Sequence, residues 1–270
     1  MRLDRGGQRG RRLRVDERLL CNRLTVREVG VRLIGPNSMG VIHPASSLTL
    51  SVNAVLEMEG IKPGGLSLIS QSGTILGTLL SRGAARGIGF ARMIGVGNES
   101  DLAVGELVDL LVDDPATKSI LLFLEAVRDA DKLAAAARRA YDAGKPVITY
   151  KLGRSEAGRE LALSHSGAIA GPAKAADAFF QAHAIARVEM LEGLLEAPPL
   201  FMGHPPPKGK RVAVVTTTGG GAASVADRLG ALGATLAPAP EAVRTALREH
   251  GLEIGRGPLV DLTMAGTREG

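Results

Sequence analysis

Two apolar spacings take turns along most of this chain. Short, mainly apolar segments read as strands: Val31–Ile34, Leu66–Ile69, Phe90–Ile94, Ser119–Leu124, Pro146–Tyr150 and Ile185–Val188. Between them the apolar positions recur at helical spacing over Ile75–Arg82, Leu102–Val112 and Ala130–Ala143, then from Pro172 to about Ala182 and onward from Glu189. A run such as S-I-L-L-F-L at 119–124 is apolar on both of its faces, as a central parallel strand covered from two sides must be. Alternating strands and helices predict an α/β fold, a doubly wound parallel sheet with right-handed crossovers. Residues 41–60 show only short extended pieces.

The pattern restarts after a Pro-rich stretch. Residues 198–210 read as a linker, and Arg211–Thr216 opens a second unit as a strand. A turn T-T-G-G-G-A-A-S, a helix over Ala223–Leu232 and a strand over Ala234–Leu236 follow, with a further strand-edge loop at 255–264. The expected layout is therefore a leader at 1–34, a flavodoxin-like domain at 35–197, the linker, and a partial second α/β domain at 211–270.

Composition narrows the class. The chain has 270 residues, 35 glycines and 3% aromatics, which suits a core of Ala, Val, Leu and Ile. Its single cysteine, Cys21, offers neither a disulfide framework nor a thiolate metal site. His43, His183 and His250 lack partners at metal-ligand spacing. No apolar run approaches the ~20 residues of a membrane span, and no signal-type segment opens the chain. A cytoplasmic protein is expected. The formal charge of +5 is concentrated in residues 1–32, where ten arginines face Asp4, Asp16, Glu17 and Glu28, a net +6 that leaves −1 elsewhere. A near-neutral body without interleaved aromatics argues against nucleic acid as a partner.

The candidate chemistry sits where strands end. Glu125 closes the 119–124 strand, and S-Q-S-G-T at 70–74 joins a strand to a helix. Such a junction aims free N–H groups and a positive helix end at an anion, although Ser72 could equally be a plain N-cap. The stretch L-A-L-S-H-S-G-A-I-A-G at 161–171 follows the strand ending at Tyr150 and carries His165 among small residues. All three follow strand C-termini, so the winding predicts them on one sheet edge. A carboxylate bonded to one imidazole nitrogen leaves the other free to attack, and a helix N-terminus would hold a phosphoryl group there. Gly219–Gly221 offers a second loop of this kind, and Asn37 and Ser38 in G-P-N-S-M-G read as a turn at a strand end. No Gly-Lys-Ser/Thr is present for a P-loop, and the dinucleotide fingerprint is half met.

Taken in order, G-P-N-S-M-G, S-Q-S-G-T, the strand ending in Glu125, S-H-S-G-A and T-T-G-G-G-A-A-S resemble the NDP-forming acyl-CoA synthetases. These are relatives of the succinyl-CoA synthetase α subunit, and the likeness covers roughly residues 31–264. The resemblance implies reversible conversion of acyl-CoA, phosphate and NDP into acid, CoA and NTP through a phosphohistidine. His165 matches the phosphorylated histidine and Glu125 the carboxylate that orients it. Ser72, Gly73 and Thr74 match one phosphate-holding helix start, and Gly219, Gly220 and Gly221 the other. Asn37, with Ser38 beside it, falls in the loop lining the acyl and CoA-thiol pocket. CoA is the implied cofactor, with ATP/ADP and Mg supplied through an ATP-grasp β-type partner subunit in an oligomer. Departures are visible too. Residues 1–34 stand where the family has a CoA-binding Rossmann domain, no ATP-grasp domain is present, and Gly257 replaces the Asn usual before Pro258. A non-catalytic, ligand-sensing module related to fused protein acetyltransferases, or a degenerate fragment, stays open as the alternative.

Overall fold

The computed structural model describes residues 28, 30–52, 54–158, 160, 173–203 and 209–263. The 161–171 stretch with His165, the centre of the Pro-rich linker and nearly all of the Arg-rich leader lie outside the described residues. Seven strands form one sheet: β1 (Gly40–His43), β2 (Leu48–Leu50), β3 (Pro63–Ser70), β4 (Phe90–Gly95), β5 (Ser119–Leu124), β6 (Val147–Lys151) and β7 (Ile185–Arg187). Their spatial order is β2-β1-β4-β3-β5-β6-β7. Strands β3 to β7 run parallel, and β1 pairs antiparallel with both β2 and β4. Counted among themselves, the parallel strands lie in the flavodoxin-like order, whose switch point falls between β3 and β5.

The helices of this unit are α1 (Gly73–Ala85), α2 (Val104–Asp113), α3 (Ala130–Asp142), α4 (Ala173–Ala182), α5 (Gly193–Glu196) and α6 (Pro198–Phe201). Strand periodicity decides which of them packs where. From β5, Ile120, Leu122 and Leu124 join Leu107, Val108 and Leu111 of α2, Leu133 and Ala137 of α3, and Phe180 of α4. From the same strand, Leu121 and Phe123 join Leu76, Leu79 and Leu80 of α1 and Leu194 and Leu195 of α5. The doubly wound α/β expectation holds. Every residue of β5 is buried, which is why its sequence shows no polar alternation.

Three local expectations are corrected. Val31–Ile34 is not a strand. Leu33 instead accepts from Leu102 N–H (3.1 Å) and donates to Asp101 (2.9 Å), so this segment is tied to a loop rather than to a sheet partner. The helix expected from Glu189 is two short turns, because Pro198 has no N–H to extend α5 and starts α6 instead. Both Gly-headed helices begin earlier than their apolar spacing suggests, α1 at Gly73 and the helix of the second unit at Gly219. Capping hydroxyls set those starts and overrule the low helix propensity of glycine.

By contact the chain divides into two units, Met1–Pro205 and Pro206–Gly270. In the second, β8 (Arg211–Val212) pairs parallel with β10 (Thr235–Leu236), and β9 (Val215–Thr216) pairs parallel with β11 (Val260–Asp261). Helices α7 (Gly219–Ala231) and α8 (Glu241–Glu249) complete its described elements. Among the described residues no helix is long and apolar enough to cross a membrane.

Candidate functional site

Parallel strands bring their carboxyl ends to one edge. Ser70 closes β3 opposite Gly95 of β4 and Phe123 of β5, and Leu124 of β5 faces Lys151 of β6. Past Ser70 the chain turns into α1. The Ser70 hydroxyl donates to Ser72 C=O (2.6 Å) and accepts from Ser72 N–H (3.2 Å), which freezes the turn. Ser72 then caps α1, its Oγ accepting from Ile75 N–H at 3.4 Å. Gly73 and Thr74 are thereby the first two residues of a helix of 13, with the positive end of its dipole at the sheet edge.

The antiparallel strand brings the G-P-N-S-M-G loop to the same place. Gly40 at the start of β1 pairs with Gly95 at the end of β4, so residues before β1 lie at the carboxyl edge. Asn98 N–H donates to Pro36 C=O (2.9 Å) and Ser100 N–H to Gly35 C=O (2.9 Å), fastening the loop to the one that follows β4. Asn37 has φ +58° and is exposed, with Nδ2 at 3.5 Å from Asn98 Oδ1. Ser38 spends its hydroxyl locally, donating to Gly95 C=O and accepting from Gly40 N–H (2.9 Å). Met39 packs on the first turn of α1, so closely that a methyl group on Gly73 would overlap its Cγ.

Glu125 stands one residue beyond β5 and is 7% exposed. Among the described residues no side chain bonds its carboxylate, yet its backbone is gripped on both sides. Gln71 Oε1 accepts from Glu125 N–H (2.5 Å) and Ala126 N–H (3.0 Å), while Gln71 Nε2 donates to Ala126 C=O (2.8 Å). Lys151 Nζ donates to Glu125 C=O (2.8 Å) and to Leu152 C=O (2.7 Å). Burial lowers the Lys151 ammonium from the usual lysine value; Arg187 adds to that, and Glu125 opposes it. Gln71 Nε2 also reaches Glu99, a buried carboxyl that accepts from Val104 N–H at 3.0 Å. Burial raises Glu99 above the ordinary range; the Val104 and Gln71 bonds and the Arg128 charge only partly oppose this.

Asn37, Ser38, Ser72, Gly73, Thr74 and Glu125 thus share the carboxyl edge of the first unit. His165 lies outside the described residues. Gly219, Gly220 and Gly221 belong to the second unit and form the opening turn of α7, where Thr218 caps by accepting from Gly221 N–H (3.2 Å). Here too a hydroxyl two residues earlier fixes the turn. Thr216 Oγ1 donates to Thr218 C=O (3.1 Å) and accepts from Thr218 N–H (3.1 Å). Ser70-x-Ser72-Gly73 and Thr216-x-Thr218-Gly219 are therefore one device built twice. The sequence signal for both was a small polar turn between a strand and a helix, at S-Q-S-G-T and at T-T-G-G-G-A-A-S. Gln71, Glu99 and Lys151 gave no such signal.

A family model described as the succinyl-CoA ligase-like flavodoxin domain matches residues 63–201, just over half of the chain. The chain belongs to this family. It is 32% identical over 188 residues to the α subunit of acetate–CoA ligase [ADP-forming] I of Pyrococcus furiosus, an alignment covering 70% of this chain and 40% of that subunit. To the α subunit of isoform II from the same organism it is 32% identical over 219 residues, 81% of this chain and 46% of that one. In three dimensions it resembles the dinucleotide-forming acetyl-coenzyme A synthetase 1 of Ca. Korarchaeum cryptofilum in complex with phosphate and ADP. There the TM-score is 0.77 at 26% identity, over 90% of this chain and 52% of that one. The chain spans about half the length of these family members or less.

Proposed function

We propose that this chain is the α-type part of an NDP-forming acyl-CoA synthetase, acting with an ATP-grasp β-type subunit in a cytoplasmic oligomer. The reaction is acyl-CoA + phosphate + NDP ⇌ carboxylate + CoA + NTP, with the phosphoryl group carried on His165. The observation that supports it best is the pairing, at the topological switch point, of a capped helix N-terminus at Ser72–Thr74 with a buried carboxylate at Glu125. His165 follows β6 in the chain, and β6 is the strand beside the one that Glu125 terminates.

The chemistry follows from those groups. Glu125 accepts the N–H of one imidazole nitrogen, which fixes the tautomer and leaves the second nitrogen as nucleophile. That nitrogen takes the terminal phosphoryl of NTP and releases NDP. The imidazole then passes the phosphoryl to the carboxylate substrate, because a thiol does not displace oxide from a free carboxylate. CoA thiolate attacks the acyl phosphate, forms the thioester and expels phosphate. At each transfer the charge on the phosphoryl oxygens is met by helix N-terminal amides, a preorganised anion site.

The described residues suit a phosphoryl group well. Each of two helices begins in a hydroxyl-fixed turn headed by small residues, Gly73-Thr74 in one and Gly219–Gly221 in the other. Asn37, exposed beside that edge, would face the acyl and thiol end of CoA. The nucleotide and its Mg fall to the partner subunit. The test is ATP formation from acetyl-CoA, phosphate and ADP by the chain mixed with a β-type ATP-grasp subunit. Activity is expected only with both, is lost in His165→Ala, and falls about 10²-fold in Glu125→Gln. Absence of ATP with every such partner contradicts this reading and favours the ligand-sensing module.

A further inference from the structure

We propose that Gln71 and Lys151 are positioning residues that clamp Glu125 from the two neighbouring strands and set where its carboxylate points. This rests on the reading of Glu125 as the partner of the phosphorylated histidine.

The residue after a central strand has left the ladder, so its N–H and C=O need partners from elsewhere. Around Glu125 those partners are side chains. Gln71, just past β3, supplies one oxygen to two consecutive amides, Glu125 and Ala126, and returns its own N–H to Ala126 C=O. Lys151, the last residue of β6, points its ammonium at Glu125 C=O. Both polar groups of the Glu125 backbone are therefore held, one from each side, and the side chain between them has little freedom to rotate the peptide. Gln71 is braced in turn by Glu99, itself fixed at the start of α2, and by its own N–H on Phe123 C=O (3.1 Å). Lys151 is braced by a second carbonyl, that of Leu152.

An ordinary loop at this position would be satisfied by water, at no cost from burial. Here Lys151, only 6% exposed, holds its ammonium against the charge of another cation, Arg187, to make two carbonyl bonds. Burying a lysine is unfavourable unless its hydrogen bonds return something. What they return here is a fixed peptide under the Glu125 carboxylate at the switch point. Neither residue needs to touch a substrate. A carboxylate displaced by an ångström loses its alignment with an imidazole N–H, and misplacements of that size cost about 10²-fold in rate.

The test compares wild type, Gln71→Leu, Lys151→Met and the double variant, each assembled with the ATP-grasp subunit. Two quantities are read: the single-turnover rate of phosphoryl transfer from ATP to the chain, and amide hydrogen exchange at Glu125 and Ala126. Each single change is expected to slow transfer by about 10- to 10²-fold, with KM for ATP within about twofold. Gln71→Leu should speed exchange at Glu125 and Ala126 at least about 10-fold, leaving the interior of β5 unaltered. The double variant should lose less than the product of the single losses, because both clamps act on one peptide. Unchanged exchange in Gln71→Leu, or losses that appear in KM alone, would overturn the clamp. If wild type takes up no phosphoryl group, the histidine reading fails, and the exchange data still decide whether Glu125 is clamped.

Discussion

Gly73 shows how one side chain can be excluded by a neighbour rather than by backbone strain. It sits in the first turn of α1, where any residue can adopt the backbone, but a methyl group would drive into Met39. Gly73→Ala should therefore lose about 1–3 kcal/mol in urea denaturation. Met39→Ala in the same chain should restore part of that loss, and a neutral Gly73→Ala would show that the contact is dispensable. Ser72 and Glu125 were legible because each stands next to a strand end. Gln71 was not, since its partners lie 54 and 55 positions away in the sequence and are peptide groups, which carry no residue signature. Lys151 was hidden for the same reason, since its ammonium bonds two peptide carbonyls, those of Glu125 and Leu152.

At the scale of elements, α2 begins on Ala103, which has no side-chain acceptor to offer. Two carboxylates stand in. Glu99 accepts from Val104 N–H (3.0 Å), and Glu106 reaches back to Ala103 N–H (3.3 Å). Burial pushes Glu106 up, but the Arg32 guanidinium, the Ala103 N–H and the Lys132 charge outweigh it and hold this carboxyl below the usual range. In the unfolded chain Glu106 binds its proton more tightly. Its contribution is thus present above the ordinary glutamate value and lost as the pH falls through the lowered one. Glu106→Gln should lower the melting temperature near pH 7, by an amount that shrinks as the pH is taken down below the ordinary glutamate range; a loss independent of pH would contradict the assignment. In the core, Leu122→Ala should cost about 2–5 kcal/mol, since Leu122 is fully buried between β5 and the α2–α3 face. The strand and helix alternation was plain from apolar spacing. Val31–Ile34 is no strand because three apolar residues around Arg32 do not say whether the segment meets a sheet or a loop, and Arg32 pairs with Asp101 and Glu106. Helix starts were misplaced by apolar spacing, for the caps at Ser72 and Thr218 decide them.

For the molecule as a whole, the flavodoxin-like winding is what assembles the edge. β3 and β5 are adjacent in space with β4 and two helices between them in sequence. This is why residues 70–74 and 125 end together. The antiparallel β1 adds the Asn37 loop to that edge, a placement that sequence spacing alone could not give. The two units differ in depth. Among the described residues of the second, only Ala222 and Val260 are buried apolar residues, and α8 has none. Amides of α8 should therefore exchange faster than those of α3, which buries Leu133, Ala136, Ala137 and Ala140; equal protection would contradict this.

The most direct test of the central claim is to locate the phosphoryl group. The chain is incubated with a β-type ATP-grasp subunit and γ-labelled ATP, then digested under alkaline conditions and mapped by mass spectrometry. The account predicts an acid-labile, alkali-stable label on the peptide containing His165, absent from His165→Ala and removed by adding acetate and CoA. Label on any other residue, or label that persists in His165→Ala, would contradict it.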